Sequence, residues 1–318
     1  QTGQQWGADH APEVDMNGSS SVSVIKGSDA VRYGSDALGG IIVMEQSPLP
    51  FRKRSLQGGI SALYGSNGRR YVATGQLEGA FPGDFAWRLQ GTWSNSGDRS
   101  TAHYLLNNTG TREYHASASL GYDRGRLRVE GFYSRFYSRT GVMLSAQMGS
   151  EDLLAERIRL GRPLHTDPFS RGIRAPCQEV THQITFGRMR LGMKKGGSIH
   201  WQSTWQKDDR QENRVRRLDS NIPAVSLHLN SFQHLLRWKR DYRSWQVEAE
   251  VRSYSSRTTA ARVPDSCPLS RTTRRHRQGY TESGNITWPG EALKQASAWI
   301  CRKPVPVVMT GREAPMAG

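Results

Sequence analysis

Residues 85–93 read Phe-Ala-Trp-Arg-Leu-Gln-Gly-Thr-Trp. Odd positions carry Phe85, Trp87, Leu89, Gly91 and Trp93, while even positions carry Ala86, Arg88, Gln90 and Thr92. Strict alternation of this kind puts one kind of side chain on each face of a β-strand. Tyr114–Asp123 repeats it, with Tyr114, Ala116, Ala118, Leu120 and Tyr122 opposed to His115, Ser117, Ser119, Gly121 and Asp123. Trp245–Tyr254 sets Trp245, Val247, Ala249 and Val251 against Gln246, Glu248, Glu250 and Arg252.

Weaker versions occupy Leu56–Gly65, Tyr71–Gly79, Leu127–Tyr133, Ile199–Lys207 and Phe232–Lys239, and His182–Met193 alternates with a phase slip near Gly187. Nine strands are therefore expected between Ser55 and Ser256. Short turns at Ser66-Asn67-Gly68, Phe81–Asp84, Arg124-Gly125, Gly196-Gly197 and Asp241–Ser244 join some of them. Long polar links over Ser94–Glu113, Gly141–Thr181 and Asp208–Ser231 join the others. An antiparallel meander with one plain end and one elaborated end follows, the plan of transmembrane β-barrels.

The apolar faces mix Trp, Tyr and Phe with Gly and Ala, where a packed core would hold Val, Ile and Leu. Such a surface suits lipid, and the Arg, Gln, Glu, Thr and Ser opposite suit a wet lumen. Nine residues at about 3.4 Å span roughly 30 Å, or about 21 Å of depth at a 45° tilt. The competing reading is a soluble β-sandwich, whose strands also alternate.

Composition narrows the classes further. The 318 residues carry 44 Lys+Arg against 28 Asp+Glu, a formal +16, with 36% hydrophobic and 9% aromatic residues. Nine Trp, eleven Tyr and eight Phe argue against a disordered chain. No run of 18 apolar residues suggests a membrane-crossing helix. Three widely spaced cysteines (Cys177, Cys267, Cys301) give neither a disulfide framework nor a zinc site. The chain opens on Gln1 without a leader and is taken as a mature chain or a fragment.

Residues 21–45 hold the most specific local signal. A short strand at Ser21–Ile25 ends in Lys26-Gly27, a compact segment passes Ala30 to Tyr33-Gly34-Ser35, and Ala37-x-Gly39-Gly40 leads into a second strand at Ile41–Glu45. The glycines here match neither a Walker loop nor a dinucleotide fingerprint, and they precede a strand rather than a helix.

This segment resembles the closing motif of the plug domain in TonB-dependent outer-membrane receptors. The matching positions are Lys26, Gly27, Ala30, Tyr33, Gly34, Ser35, Ala37, Gly39, Gly40, Ile41 and Ile42; Ser28 and Val43 depart from the pattern, which often has Pro and Asn there. Fainter likenesses lie at Gln4–Gly7 with Asp9–Glu13, at Ala175-Pro176 with Gln178, Val180 and His182, and at Ile222-Pro223-Ala224 with Leu227.

The resemblance implies an all-β fold: an antiparallel meander of about nine strands from an incomplete transmembrane β-barrel, preceded by a small α+β plug remnant. Residues 1–50 would be the C-terminal part of the plug and 51–256 the first barrel strands. It also implies a Gram-negative outer-membrane protein that takes up a scarce nutrient such as a ferric siderophore or cobalamin. Its partners would be the nutrient, outer-membrane lipid and lipopolysaccharide. The TonB-type energy-transducing protein would be another, through a segment that these residues lack. The alternative is a secreted soluble β-sheet protein that binds glycans.

Residues 257–318 break the pattern, with six of the 14 prolines and a basic knot at Arg271–Arg277, and are expected to form a non-barrel tail, frame-shifted or disordered. No catalytic constellation is present. The nine histidines lack metal-site spacing, no nucleophile elbow exists, and the adjacent carboxylates Glu151/Asp152 and Asp208/Asp209 read as solvated surface. No enzyme activity, cofactor or metal is expected, and the ligand-binding residues stay unassigned. Ser150–Leu160 is expected to form a helix capped by Ser150, with Leu154 and Ile158 on one face and Gly161 at its end. The basic clusters Arg52–Arg54, Arg214–Arg217 and Arg237–Arg243 fall at turns, loops and one face of strands. They fit lumen or lipopolysaccharide better than nucleic acid.

Overall fold

A computed structural model describes residues 14–27, 40–51, 56–143, 151–163, 167–194, 196–214, 223–242, 245–262, 271–287 and 296–302. A small antiparallel pair comes first, β1 (Ser21–Ile25) on β2 (Ile41–Glu45), with Ser21 opposite Glu45 and Ile25 opposite Ile41. Both strands have the bounds read from the sequence.

The large sheet starts with β3 (Gln57–Gly65), β4 (Arg70–Phe81) and β5 (Phe85–Ser96). Two-residue strands β6 (Arg99–Ser100) and β7 (Leu105–Leu106) pair with each other in the following loop. The sheet resumes with β8 (Thr111–Arg124), β9 (Leu127–Gly141), β10 (Cys177–Gly192), β11 (Ser198–Asn213), β12 (Val225–Tyr242) and β13 (Trp245–Arg262). Each is antiparallel to its neighbour in chain order, so the nine expected strands form one meander. Turns at residues 82–84, 125–126 and 193–197 close one end. Gly83 (φ 91°) and Gly125 (φ 61°) supply backbone conformations there that side chains disfavour. The long links at 97–110, 142–176 and 214–224 leave from the other end.

Two expectations change. The meander does not stop at Ser256: β13 runs to Arg262, and β14 (Arg271–Thr287) and β15 (Ala296–Arg302) continue it, giving eleven strands with β3 and β15 at the open edges. β14 and β15 themselves contain no proline, so no proline interrupts their ladders. The phase slip near Gly187 is not a bulge, because β10 stays in continuous register on both sides, with Gly187 opposite Gly131 and Ser203. What changes there is the face that is apolar: Phe186 points inward and stacks on Phe132 at 4.8 Å, while Leu191 lies on the outer face.

The strands are also longer than the alternating segments. β11 continues through Asp208-Asp209-Arg210-Gln211-Glu212-Asn213, which are polar on both faces. A ladder needs only backbone donors and acceptors, so pairing outlasts the apolar stripe.

Among the described residues, the inner face holds no continuous apolar core; buried Ala86, Val180, Leu227 and Leu229 stand among more numerous buried polar side chains. The largest fully buried side chains are Arg210, Asp208, Ser94 and Ser96. Leu89 (51% exposed), Trp93 (39%) and Leu120 (55%) face out, whereas Arg88 (4%) and Gln90 (6%) are buried on the other face. The polarity is inverted relative to a soluble sandwich, which excludes the dry two-layer interior that reading requires.

The outer face has two aromatic rows. Phe81, Phe85 and Tyr122 share one register line near the turn end, with Phe85 and Tyr122 at 4.9 Å; Trp93, Tyr114 and Tyr137 share another near the loop end. Eight residues of strand separate them on β5, about 27 Å along the chain and about 19 Å in depth at a 45° tilt. Helix α1 (Glu151–Leu160) lies in the longest loop and ends at Gly161 (φ 62°), as expected. Its Ile158 is 72% exposed, and Ser150 lies outside the described residues.

Candidate functional site: the inner wall and the segment docked on it

The inner faces of β4, β5, β8 and β9 carry the amino-terminal segment at three points. The first is Asp15, which is 8% exposed. Its Oδ1 accepts from the Asn17 amide and side chain, both at 3.0 Å, so it caps the short turn Met16–Gly18. Its Oδ2 accepts from Gln90 Nε2 (3.1 Å) and Thr92 Oγ1 (2.7 Å) on β5 and lies 2.9 Å from His115 Nδ1 on β8. Burial alone would raise the Asp15 carboxyl pKa. The hydrogen bonds from His115 and Thr92, the His115 charge and the Asn17 amide outweigh burial and hold it below the ordinary carboxylate range.

The second point is Arg88 on β5. Its guanidinium grips Glu78 of β4 (Nε 2.8 Å, Nη2 2.6 Å) and donates to the carbonyls of Ser47 (2.7 Å) and Pro48 (3.1 Å). Arginine's planar fork allows it to hold a carboxylate and two carbonyls together. The third is apolar: buried Leu49 and Phe51 fill the space above Gly121, where an added Cβ would sit 2.6 Å from the Phe51 ring. Arg128 covers that ring at 4.6 Å.

Beyond the docked segment the inner wall continues as charge networks. Glu130 holds Arg128 (2.6 Å) and Arg188; Glu250 holds Arg237 (2.6 Å) and Arg252, and Glu248 lies 3.2 Å from Arg237. Arg237, read from the sequence as part of a basic cluster, is thus a lumen-facing residue. Asp208 and Asp209 point to opposite faces, as adjacent strand residues must. Only Asp209 is surface, paired with Lys207 (2.8 Å) and His228 (2.7 Å). Asp208, expected to be solvated, is 1% exposed, because its strand face is the inner one, opposite His182 on β10.

At the loop end Asp98 (2% exposed) gathers the loops. It accepts from the amides of Asn108 (2.7 Å), Thr109 (3.3 Å) and Ser170 (3.1 Å). Asn108 in turn donates to the carbonyls of Val142, Arg174 and Pro176. Arg69 stacks on Phe169 at 4.2 Å.

Of the motif residues, Lys26, Gly27, Gly40, Ile41 and Ile42 are described, and Ala30 lies outside the described residues. Gly27 (φ 72°) and Gly40 (φ 104°) both hold left-handed backbone, and a Cβ on Gly40 would meet the Ile25 carbonyl at 2.8 Å. Tyr33, Gly34, Ser35, Ala37 and Gly39 lie outside the described residues. Sequence reading missed Asp15, Arg88 and His115. The only local signal of Arg88 and His115 was a polar residue on the wet face of a strand, and Asp15 lies before the first strand, where no alternation marks it. Among the described residues, no cluster of His, Cys, Asp and Glu suits a metal ion.

The described residues thus form an open meander, apolar outside and charged within, with an amino-terminal segment pinned against its inner wall. Solved structures share this arrangement. The copper transporter OprC matches with a TM-score of 0.65 at 13% identity, over 86% of this chain and 41% of its own. The fold is that of the TonB-dependent outer-membrane receptors. The ferric yersiniabactin uptake receptor FyuA of Yersinia pestis matches at 0.58 and 15% identity, over 84% of this chain and 41% of its own. A ferric enterobactin receptor of Pseudomonas aeruginosa, PfeA, matches at 0.57 and 12%, over 84% and 42%. The chain spans about two fifths of the length of these receptors. No protein-family model matches the sequence, and no curated protein matches it. On this fold, the outer face of β3–β13 corresponds to the exterior of the barrel and the inner face to its interior.

Proposed function

We propose that this chain is part of a Gram-negative outer-membrane receptor for a scarce nutrient, such as a ferric siderophore, cobalamin or a similar chelate. Residues 1–50 are the closing part of its plug. The strands from Gln57 onward are the first of its barrel. Uptake is energised by a TonB-type protein acting on the plug, and no bond is made or broken.

The docking of Asp15 and of residues 47–51 on the inner wall carries this reading. A charged wall that binds a separate polar segment through Asp15 and Arg88, rather than fusing with it into an apolar core, suits a plug that must hold and yield. Breaking a few hydrogen bonds and ion pairs that water can replace costs far less than exposing a packed core. The charge of the wall also draws polar cargo along the bore once the plug shifts. Solved neighbours described as handling copper, ferric enterobactin and ferric yersiniabactin are in keeping with metal or chelate cargo. A soluble glycan-binding protein is not favoured, because its outer faces would be polar.

The test is fractionation of the protein expressed with a secretion signal, followed by tryptophan-fluorescence titration with ferric siderophores and cobalamin. Recovery in the carbonate-resistant membrane fraction and saturable quenching by one chelate are expected. Recovery in the soluble periplasm would sink the proposal.

A further inference from the structure

On β11 and β12, three serine hydroxyls lie within hydrogen-bond distance of a histidine ring nitrogen: Ser198 of His200 (2.9 Å), Ser203 of His234 (2.9 Å) and Ser226 of His228 (3.1 Å). Among the described residues, only the third pair has a carboxylate on the other ring nitrogen. There Asp209 Oδ1 lies 2.7 Å from His228 Nδ1.

Strand register makes this group. Asp209 on β11 is directly opposite His228 on β12, and Ser226 stands two residues along on the same face. Lys207 holds the second oxygen of Asp209 at 2.8 Å, which fixes the carboxylate from behind. A carboxylate only accepts, so His228 Nδ1 carries the ring hydrogen, and Nε2 of the neutral ring accepts from the Ser226 hydroxyl. The His228 side chain is half exposed, so the group is open to solutes. Gln211 is exposed and directly opposite Ser226, at a cross-strand Cβ separation of about 4.5–5.5 Å. Sequence spacing shows none of this, because Asp209 and His228 are 19 residues apart and meet only across the ladder.

We propose that Ser226, His228 and Asp209 form an acyl-transfer site that hydrolyses short-chain carboxylic esters. Ser226 is the nucleophile and His228 the general base; Asp209 is a positioning residue, and the Gln211 carboxamide donates to the oxyanion. Ser226 Oγ bonds to the ester carbonyl carbon as its proton passes to His228 Nε2. The carbon–oxygen bond to the alcohol then breaks, and the alcohol leaves with that proton. Water hydrolyses the acyl-serine by the same route, so that ester and water become acid and alcohol. Turnover is slow, since one exposed amide stands in for a built oxyanion hole, where a single donor accounts for about 10²–10³ in rate.

The group lies on the loop side of Trp205 and Phe232, which face each other four residues nearer the turn end. That is about 14 Å along the strand, or about 10 Å of depth at a 45° tilt. On the outer-membrane orientation proposed above, the site is therefore in water at the cell exterior. The chemistry does not depend on that orientation, which fractionation tests separately. Uptake itself needs no such step.

The test is release of p-nitrophenol from p-nitrophenyl acetate by the full 318-residue chain in dodecyl maltoside micelles. A fluorophosphonate label, located by peptide mass spectrometry, reports the nucleophile. A single label on Ser226 and turnover above that of Ser226→Ala are expected. Ser226→Ala and His228→Gln should each lose at least about tenfold in rate, and the double variant no more than either, because the two act as a unit. Asp209→Asn should lower kcat by at least about tenfold with KM unchanged and slow the labelling of Ser226. Ser203→Ala and His234→Gln, at the pair that lacks an acid, should leave the rate unchanged. Labelling is read on the unaltered chain, so the outcome does not hang on whether a variant folds. Absence of label on Ser226, equal labelling of Ser198 or Ser203, or equal rates for the unaltered chain and Ser226→Ala would each overturn the proposal.

Discussion

Asp15 Oδ2 lies 2.9 Å from His115 Nδ1, joining the amino-terminal segment to β8, the fourth strand of the large sheet. The carboxylate is held by two strands and by its own turn, so the contact fixes where the segment rests on the wall. Little else of residues 14–20 touches the sheet; Gly18 does so closely, since an added Cβ would meet the Gln90 side chain at 2.4 Å.

Replacing that carboxylate should loosen the segment without unfolding the sheet. Asp15→Asn removes the charge and leaves some of the donors from Thr92, His115 and Asn17 poorly matched, a cost of about 1–3 kcal/mol. Amide hydrogen exchange should rise at Asn17 and Ser19 while β5 and β8 stay protected. Unchanged exchange at Asn17 would show that Asp15 does not hold the dock.

The same contact predicts a pH dependence. The Asp15 pKa is depressed in the folded state, so its contribution to docking is full above the ordinary value of 3.8 and fades as pH falls through the lower folded value. Exchange at the Asn17 amide, corrected for its intrinsic pH dependence, should therefore rise in the acid range below about pH 4. In Asp15→Asn that rise should vanish.

The two faces should respond oppositely to charge. Leu89 and Ser119 lie on strands that pair directly, Leu89 facing out and Ser119 in. Leu89→Arg should cost about 2–4 kcal/mol in lipid, whereas Ser119→Arg on the wet face should cost under about 1 kcal/mol. Urea titration of the vesicle-inserted protein measures both, and equal costs would contradict the assignment of faces.

Glycines on the sheet should divide by what stands over them. A Cβ on Gly141 would sit 2.3 Å from the backbone carbonyl of Asn108, which is held in place by the Asp98 loop network, while Gly131 has nothing within 4 Å. Gly141→Ala should cost at least about 2 kcal/mol, the scale of overpacking, and Gly131→Ala close to nothing. Thermal melting of the two variants under identical detergent conditions distinguishes them.

Alternation of the kind seen in Phe85–Trp93, repeated along the chain and read with the turns and links between, was enough to read nine strands, their order and their apolar side, because side chains on a strand alternate whatever the rest of the chain does. The glycines at 27 and 40 were legible for a similar reason, since their backbone angles exclude most other residues. The extent of the strands was not legible. Polar residues such as Gln206–Asn213 carry no apolar stripe, and the ladder that extends them is made of backbone alone. The tail misled for the converse reason: its prolines were counted as though spread through the segment, yet Arg271–Thr287 contains none of them.

By itself, then, the sequence determined the local periodicity, and through it the all-β class, the meander and the outward-facing apolar surface. The tertiary structure alone decided which polar residues of the wet face meet a partner. Asp15, Arg88, His115 and Asp208 look alike in sequence, as polar or charged side chains at unremarkable positions. Only the register of β5, β8 and β9 brings a carboxylate from the amino-terminal segment onto three donors, or sets Arg112 and Arg139 face to face. Period-two patterning is a property of a few neighbouring residues, whereas electrostatic complementarity depends on distances between residues far apart in the chain.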